Sequence, residues 1–363
     1  MTPGRRYRGL MTGPRPFTVL LDRVDRSFGG RPAVAALSFG APAGAITAML
    51  GPNGAGKTTA LRLITGALAP DGGTVRVFGL DPGRPAGGEE VRARCGVVTA
   101  KPSLYDRLSG LDNLRYAAQL YGLGRGADVD RRLRAAAAQF GIDEALGQAV
   151  GGYSTGMKTR LALARAVAHD PELLLLDEPT SGLDPESAAA VLDLVRAMTS
   201  SGRTVLLCTH LLAEADGLAD EVVVLERGTA VATGAPTALA AGFWPHPQVR
   251  LQAERPTDLD RLAAWPGVVG YQREQDRAVV DLDAAGRVAD LILGLSRDGV
   301  RLAAVEPHRP TLEDLYFAIQ ASRRDVPAGP SLDAGGPSRY STPPIGPPAP
   351  MPGGAHRQVE VGR

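Results

Sequence analysis

Gly51-Pro52-Asn53-Gly54-Ala55-Gly56-Lys57-Thr58-Thr59 is the stretch from which we predict the fold of the chain. An apolar run over 45–50 precedes it and is typical of a buried strand, and residues 59–64 have the pattern of a helix. Gly51, Gly56, Lys57 and Thr58 have the spacing G-x-x-x-x-G-K-[ST], which binds phosphate groups when it connects a strand to a helix. Loop N–H groups and the positive helix end would surround the phosphates.

Two side chains of this loop have predicted roles. We expect Lys57 to reach the outer phosphates and the Thr58 hydroxyl to bind Mg²⁺. A glycine-rich turn with a solvated lysine is the alternative, and the agreement of strand, loop and helix argues against it. We also expect Lys57 to face ligand rather than core, so that its removal would spare the fold.

The composition restricts the class of protein. The chain has 363 residues, 44% of them apolar, which leaves room for two domains at about 150 residues each. A net charge of +1 gives no global field that would favour nucleic acid as a partner. No apolar run approaches the ~18 residues that cross a bilayer, and the arginine-rich N-terminus lacks the apolar segment of a secretory signal. A protein of this kind would serve a membrane as a peripheral subunit.

The two cysteines, Cys95 and Cys208, both lie in apolar runs typical of strands. This placement favours reduced core thiols over a disulfide or a metal site. Such cysteine usage fits a cytoplasmic protein.

A pair of acids follows four consecutive leucines, residues 173–176. The leucines indicate a strand buried on both faces of a parallel sheet, and ligands bind at the carboxyl ends of such strands. We expect Asp177 to hold Mg²⁺ through water and Glu178 to polarise an attacking water as general base. Solvated acids at a strand end are the alternative, which is weaker for a pair beside a phosphate loop.

Three further positions allow both a functional and a structural interpretation. Phe28, in an expected turn over 25–31 after the first strand, could stack on an adenine ring or be a hydrophobe at a strand end. Ser154-Thr155-Gly156 opens a helix, where Ser154 could act as a cap alone or as part of an anion site. His210 follows a buried strand over 204–208, where a strand would deliver it to a nucleotide, although a lone histidine is more often structural.

In this order, the motifs of residues 18–241 resemble those of the ATP-binding subunit of an ABC transporter. The phosphate loop corresponds to the Walker A motif of that family, and Asp177 with Glu178 to Walker B and its catalytic glutamate. Residues 153–157 match the signature motif, with Tyr for the usual Leu and Thr for the usual Gly. Residues 181–184 resemble the D-loop, which adds Asp184 as a nucleotide contact. His210 corresponds to the switch histidine, and Phe28 to the adenine-stacking aromatic.

The resemblance implies that two such subunits sandwich ATP in an ATP-dependent homodimer or heterodimer. One protomer would supply Lys57, Thr58, Asp177, Glu178 and His210, and its partner Ser154 and Gly156. One motif departs from the family, because Ala100 stands where the family carries a glutamine that binds Mg²⁺ and signals to the membrane subunit. Because alanine has no ligand oxygen, we expect this protein alone to hydrolyse ATP slowly, with nucleotide binding unaffected. Alternatively, Thr99 could supply a hydroxyl or Lys101 could hold the γ-phosphate, which would make the site competent.

The resemblance also predicts the organisation of the chain. We expect a flexible arm over 1–16 and an α/β domain of the P-loop NTPase class, ABC ATPase type, over 17–241, with an inserted helical subdomain over about 104–168. Residues 246–320 resemble the small α+β C-terminal domain of drug-export and other ABC-2-type ATPases. A capping box over 311–314 predicts the start of its last helix, which we expect to run through Ile319. Residues 322–363, rich in Pro and Gly, are expected to be disordered.

The function that the resemblance implies is an ATPase that uses ATP and Mg²⁺ to power export. A separate ABC-2-type membrane permease would carry a hydrophobic drug or lipid-like cargo, with this subunit peripheral on the cytoplasmic face of the cell membrane and no nucleic acid bound. One alternative is a soluble ABC ATPase acting on ribosomes or DNA, against which the single cassette and the lack of cysteine pairs argue. Another is a catalytically weak regulatory partner, which Ala100 alone supports.

Overall fold

A computed structural model describes residues 16–324 of the chain. Its strands are β1 (Phe17–Phe28), β2 (Arg31–Pro42), β3 (Ile46–Leu50), β4 (Gly72–Val77), β5 (Cys95–Val98), β6 (Leu173–Asp177), β7 (Thr204–Thr209), β8 (Glu221–Glu226), β9 (Thr229–Gly234), β10 (Gln248–Ala253), β11 (Val268–Glu274), β12 (Arg277–Leu282) and β13 (Leu302–His308). Its α-helices are α1 (Lys57–Ile64), α2 (Pro85–Ala93), α3 (Gly110–Leu120), α4 (Ala127–Gln139), α5 (Thr155–Val167), α6 (Pro185–Ser200), α7 (Leu212–Ala215), α8 (Pro236–Phe243), α9 (Arg287–Arg297) and α10 (Leu312–Arg324). Short 3₁₀ helices cover Asp143–Ala145, Val150–Gly152 and Pro256–Ala264.

The central sheet has the strand order β5-β6-β7-β3-β8-β9, parallel except for the last pair. Every residue of β3, β6 and β7 is buried, which explains why these strands are continuous apolar runs rather than alternating ones. The carboxyl ends of these three neighbouring strands meet at one edge of the sheet. The phosphate loop, the acid pair and His210 therefore converge, as ligand-binding residues do in open α/β sheets.

A second sheet, with the order β2-β1-β4, is antiparallel. Its buried residues, among them Leu21, Leu37 and Phe39, share a hydrophobic core with α1 and the central sheet. The expected turn over 25–31 is wrong in extent, because β1 continues to Phe28 and only Gly29-Gly30 turn the chain. Both glycines have positive φ, +54° and +77°, a conformation that other residues rarely adopt.

Helices α3, α4 and α5 lie between β5 and β6 in the chain and share one core. Leu114, Leu133 and Leu161 are fully buried in it. The hydroxyl of Tyr153, the residue before the α5 cap, donates a 2.6 Å hydrogen bond to the carbonyl of Ala145. This bond joins the start of α5 to the loop after α4.

The third sheet, β11-β12-β10-β13, is antiparallel and packs with α9 and the 256–264 segment around a separate core that includes Leu251, Val280 and Leu295. Helix α10 packs elsewhere: Leu312, Leu315 and Ile319 belong to a cluster with residues of β3, β8 and α7. The predicted arm, 1–16, and tail, 322–363, fall almost entirely outside the described residues.

Cys95 and Cys208 are both free and buried, which confirms the prediction of reduced core thiols. Within residues 16–324, none of the helices combines the length and apolar character that crossing a bilayer requires.

Candidate functional site

The phosphate loop connects β3 to α1 and forms most of the wall of a cavity of about 160 Å³. Residues 52–59 line this cavity together with Ala33 of β2 and Glu178. Gly56, just before α1, has φ +106°, and a Cβ there would lie 2.6 Å from the carbonyl oxygen of Ala33. Only glycine allows this close approach of two backbones, which places the N-terminus of α1 at the cavity.

Lys57 is held by the loop itself. Its Nζ donates to the carbonyl oxygens of Gly51 at 2.6 Å and Pro52 at 3.3 Å, and lies 3.6 Å from Oε1 of Glu178. The residue is only 5% exposed. The side chain therefore supports the loop as well as lining the cavity, because a buried ammonium bonds two carbonyls of its own loop. That the fold survives its removal stays a prediction.

Thr58 and Asp177 form the second contact at the cavity. The Thr58 hydroxyl donates to Oδ2 of Asp177 at 2.8 Å, joining the first turn of α1 to the end of β6. Burial raises the pKa of Asp177, and the hydrogen bond from Thr58 partly opposes this rise. A hydroxyl and a carboxylate fit Mg²⁺, which takes few protein oxygens and completes its shell with phosphates and water. Among residues 16–324 no cluster of three or more His, Cys, Asp or Glu side chains could hold a metal.

Glu178 and His210 meet across the ends of β6 and β7. His210 Nδ1 lies 3.1 Å from Oε1 of Glu178, and the Glu178 N–H donates to the carbonyl of Cys208 at 2.8 Å. Glu178 has φ +51°, an uncommon conformation for a residue with a side chain, and such strain concentrates at functional sites. The carboxylate therefore lines the phosphate cavity with a histidine and a lysine beside it.

The predicted signature and D-loop residues lie together, away from this cavity. Ser154 caps α5, its Oγ accepting from the N–H of Met157 at 3.2 Å. Asp184 caps α6 through the N–H of Ser187 at 2.9 Å, and hydrogen bonds from Ser187 lower its pKa. Thr155 and Gly156 lie against the turn that precedes α6 and against its first residues, through Gly182, Leu183 and Ser187. In the described part of the chain, none of these residues lines the phosphate cavity.

Phe28 lies at the end of β1 with 44% of its surface exposed. It pairs with Arg31, the first residue of β2, two positions before the Ala33 that lines the phosphate cavity. The guanidinium of Arg26 lies 5.0 Å from the ring centroid. The ring is therefore exposed at the edge of the site, beside a cation.

The segment after β5 carries the position of the missing glutamine. Ala100 is exposed, and the Thr99 hydroxyl donates to the carbonyl of Lys101 at 2.8 Å. Because this bond uses the only side-chain donor of Thr99, the hydroxyl stabilises a local turn. None of these three residues lines the phosphate cavity as described.

Three polar residues near the site were not predicted from the sequence: Thr180, Thr209 and Glu214. Oε2 of Glu214 accepts hydrogen bonds from both threonine hydroxyls. Thr180 follows Glu178 by two positions and Thr209 directly precedes His210, which was the available signal. The contact itself depends on α7, whose position cannot be read from the sequence.

Comparison with known proteins agrees with this geometry. The ABC transporter family profile matches residues 34–181. Daunorubicin resistance ATP-binding protein DrrA2 of Streptomyces coeruleorubidus is 33% identical over 314 residues, 85% of this chain and 97% of that protein. Nod factor export ATP-binding protein I of Paraburkholderia xenovorans is 40% identical over 221 residues, 61% of this chain and 71% of that protein. A solved structure described as an ATP-binding subunit of an ABC transporter is 29% identical with a TM-score of 0.57, covering 62% of this chain and 93% of that one.

The family profile falls on the segment that holds the phosphate loop, β6 and the start of α5, and the Streptomyces relative matches over nearly its whole length. The predicted fold class and family are confirmed: this chain belongs to the ATP-binding subunits of ABC transporters and is an ATPase.

Proposed function

We propose that ATP hydrolysis at the cavity beside residues 51–59 powers export of a hydrophobic drug or lipid-like compound through a separate ABC-2-type permease. The observation that carries the hydrolytic part is the convergence of two contacts on one phosphate loop. Thr58 meets Asp177 at 2.8 Å, and Glu178 meets His210 at 3.1 Å. One pair has the chemistry of a Mg²⁺ site, and the other that of a base held by an imidazole.

The binding of ATP would use the loop and its lysine. Backbone N–H groups of residues 52–59 and the N-terminus of α1 would bind the phosphates, with Lys57 giving up loop carbonyls for β- and γ-phosphate oxygens. Thr58 and Asp177 would hold Mg²⁺, which would neutralise charge on the phosphates. Phe28 would stack on the adenine at the exposed edge of the site.

The hydrolytic step would depend on Glu178. Its carboxylate would accept a proton from a water whose oxygen forms the new bond to the γ-phosphorus, while the bond to the bridging oxygen breaks. His210 would fix the orientation of this carboxylate through Nδ1 and contact the γ-phosphate. Pre-set contacts of this kind lower the barrier because no reorganisation is needed during the reaction.

A second copy of the chain would complete each site. Ser154, Thr155, Gly156 and Asp184 lie at helix N-termini, which bind anions, yet they do not belong to the described lining of the phosphate cavity. A partner would bring them onto the γ-phosphate of the bound ATP, so that ATP joins the two protomers.

The test compares Glu178→Gln with wild type at saturating ATP and Mg²⁺. The variant should bind ATP, release no phosphate and become a dimer by light scattering, because the closed state no longer decays. Gly156→Asp added to this variant should return it to a monomer. A Cβ at Gly156 meets nothing closer than 3.7 Å within the chain, so the fold should tolerate the change. A monomeric Glu178→Gln protein with bound ATP would contradict the shared site.

We propose that the permease docks on a groove of about 260 Å³ between α3 and α5. Tyr105, Tyr116, Leu120 and Tyr121 line the groove and are exposed, Leu120 by 71%. Clusters of exposed apolar side chains mark interaction sites, and a transporter subunit needs a membrane partner. Ser103 also lines the groove, so a docked partner would touch the segment that leaves β5.

The proposal also includes the location of the subunit, its domains and its cargo. The subunit would be peripheral on the cytoplasmic face of the cell membrane, with residues 17–241 as the ATP-binding domain, about 104–168 as its helical subdomain and 246–320 as a smaller C-terminal domain. The drug-like cargo rests on the Streptomyces relative, which is named for daunorubicin resistance.

Site-specific crosslinking in native membranes tests the docking surface. A photoreactive residue at Leu120 should capture a multi-spanning membrane protein, identified by mass spectrometry. Leu293 is the matched control, because it is also an exposed leucine, at 57%. It lies on α9, which packs with the third sheet and not beside the groove. Equal capture from both positions, or capture of soluble proteins alone from Leu120, would contradict the proposal.

A further inference from the structure

We propose that Glu214 is a positioning residue for ATP hydrolysis, and that helix α10, the last helix of the described residues, holds it in place. The two parts form one path. Helix α10 packs on α7, α7 carries Glu214, and Glu214 joins the loops that carry Glu178 and His210.

One carboxylate oxygen joins the two loops. Oε2 of Glu214 accepts from the Thr180 hydroxyl at 2.6 Å and from the Thr209 hydroxyl at 3.3 Å. Both threonines are buried, with 3% and 1% exposure. Thr180 lies two residues after Glu178, and Thr209 directly precedes His210. The relative position of the two loops is therefore set in part by Glu214.

The contact between Glu178 and His210 needs such support. It is a 3.1 Å contact between side chains on different loops, and Glu178 has a positive φ that its surroundings must maintain. Thr209 is also fixed as an acceptor, since its Oγ1 receives the N–H of Leu211 at 3.0 Å. Hydrogen bonds to a carboxylate are stronger than neutral ones, and their loss would leave two buried hydroxyls without this partner.

Helix α7 cannot maintain its own position. It has four residues, Leu212–Ala215, and helices this short are unstable without tertiary packing. Ala215 is fully buried in the cluster that contains Leu312 and Leu315 of α10. The Leu312 N–H also lies 3.4 Å from Oδ1 of Asp216, the residue directly after α7. Helix α10 therefore covers the side of α7 that enters this core.

Glu214 does not line the phosphate cavity, so it would act on the reaction only through Glu178 and His210. A misplaced catalytic group commonly costs about 10²-fold in rate. Substrate binding by the phosphate loop would be unaffected. The expected signature is a loss of kcat with an unchanged KM for ATP.

The experiment measures kcat, KM for ATP and Tm for the full chain. Glu214→Ala should lower kcat at least tenfold and leave KM within about twofold of wild type. Glu214→Gln should retain most of kcat, because its carboxamide oxygen can accept both hydroxyls. Asp193→Ala is the control, an exposed acid paired with Arg196 on α6. Wild-type kcat in Glu214→Ala, or equal loss in Glu214→Gln, would overturn the proposal.

Thr180→Val gives a second measurement should Glu214→Ala not fold. It removes one hydroxyl without changing the volume of the side chain. On its own it should lower kcat with KM unchanged, and a wild-type kcat in Thr180→Val would overturn the proposal. Where Glu214→Ala does fold, Thr180→Val should have little further effect when combined with it, since both break the same contact. Additive losses would show that the two residues act separately and would overturn the proposal.

Leu315→Ala tests the role of helix α10, and Phe317→Ala is the control on the same helix. Leu315 is 2% exposed and Phe317 is 59% exposed. Leu315→Ala should lower kcat with KM unchanged, and Phe317→Ala should not. A Leu315→Ala protein that remains folded with wild-type kcat would refute the role of α10.

Discussion

Replacing Lys57 with alanine should have two separable effects, because the side chain bonds its own loop and is placed to bind phosphate. The ammonium donates to the carbonyls of Gly51 and Pro52 and lies 3.6 Å from Glu178. The sequence alone suggests only the loss of ATP binding. The structure adds a loss of stability in the protein without nucleotide.

The size of the stability loss follows from these contacts. Hydrogen bonds to a charged group contribute about 1.5–3 kcal/mol each, and burying and ordering a lysine side chain offsets about 2 kcal/mol of that gain. For the two bonds together, Lys57→Ala should therefore cost on the order of 1–4 kcal/mol, a fall in Tm of roughly 2–16 °C at about 2–4 °C per kcal/mol. Removing one member of a charged contact costs about 2–5 kcal/mol in binding, so the Kd for ATP should rise about 30-fold or more.

Two measurements separate the effects: Tm by differential scanning fluorimetry without nucleotide, and Kd by titration with a fluorescent ATP analogue. Lys57→Gln can still donate to the loop carbonyls but carries no charge. Its Tm should fall less than that of Lys57→Ala, and its Kd for ATP should rise by a similar factor. Arg196→Ala, which removes an exposed cation on α6, is the control for both readings. A wild-type Tm in Lys57→Ala would refute the structural role, and a wild-type Kd the phosphate role.

Three further predictions concern the neighbouring strands. If the missing glutamine limits hydrolysis, Ala100→Gln should raise kcat more than it changes ATP affinity. Thr99→Val should keep the wild-type rate in a phosphate-release assay, because the Thr99 hydroxyl bonds a local turn. A large loss of rate in Thr99→Val would instead indicate that Thr99 supplies the Mg²⁺ ligand. Burial raises the pKa of Asp177, so its charge opposes folding above that pKa and the cost disappears as pH falls through it. Asp177→Asn should therefore raise Tm at pH 8, and this gain should shrink as the pH falls through the raised pKa of Asp177, while ATPase activity is lost. Burial raises the pKa of Cys95 to about 12 and raises that of Cys208 well above its ordinary value, so neither should react with a thiol reagent until the protein unfolds.

The fold could be predicted where burial is visible in the local sequence as an apolar run. Strands β3, β6 and β7 are buried on both faces and appear as continuous apolar runs, and the phosphate loop between β3 and α1 has its own spacing. The adjacency of Asp177, Glu178 and His210 followed from the rule that ligands bind at the carboxyl ends of parallel strands. These parts of the site needed no information beyond the sequence and that rule.

The parts that could not be predicted are contacts between segments distant in the chain. The burial of Lys57 depends on two loop carbonyls, which have no sequence signature. The partners of Glu214 are a threonine 34 residues earlier and another five residues earlier, brought together by β6, β7 and α7. Helix α10 was predicted from a capping box, and Thr311 and Asp314 do form reciprocal hydrogen bonds there. Its packing on β3, β8 and α7 rather than on the third sheet depends on the whole fold.

These contacts change how the activity of variants should be interpreted. Asp177 carries a charge that burial disfavours, and Lys57 carries one that the loop stabilises, so substitutions at the two positions should move Tm in opposite directions while both abolish hydrolysis. Activity alone would therefore give the same result for opposite physical causes. A loss of activity identifies a role in the chemistry only where Tm, ATP affinity and kcat are measured on the same variant. By that standard Glu214 is the informative position, because its proposed effect on the reaction falls on kcat and not on KM, and its glutamine variant should retain most of kcat.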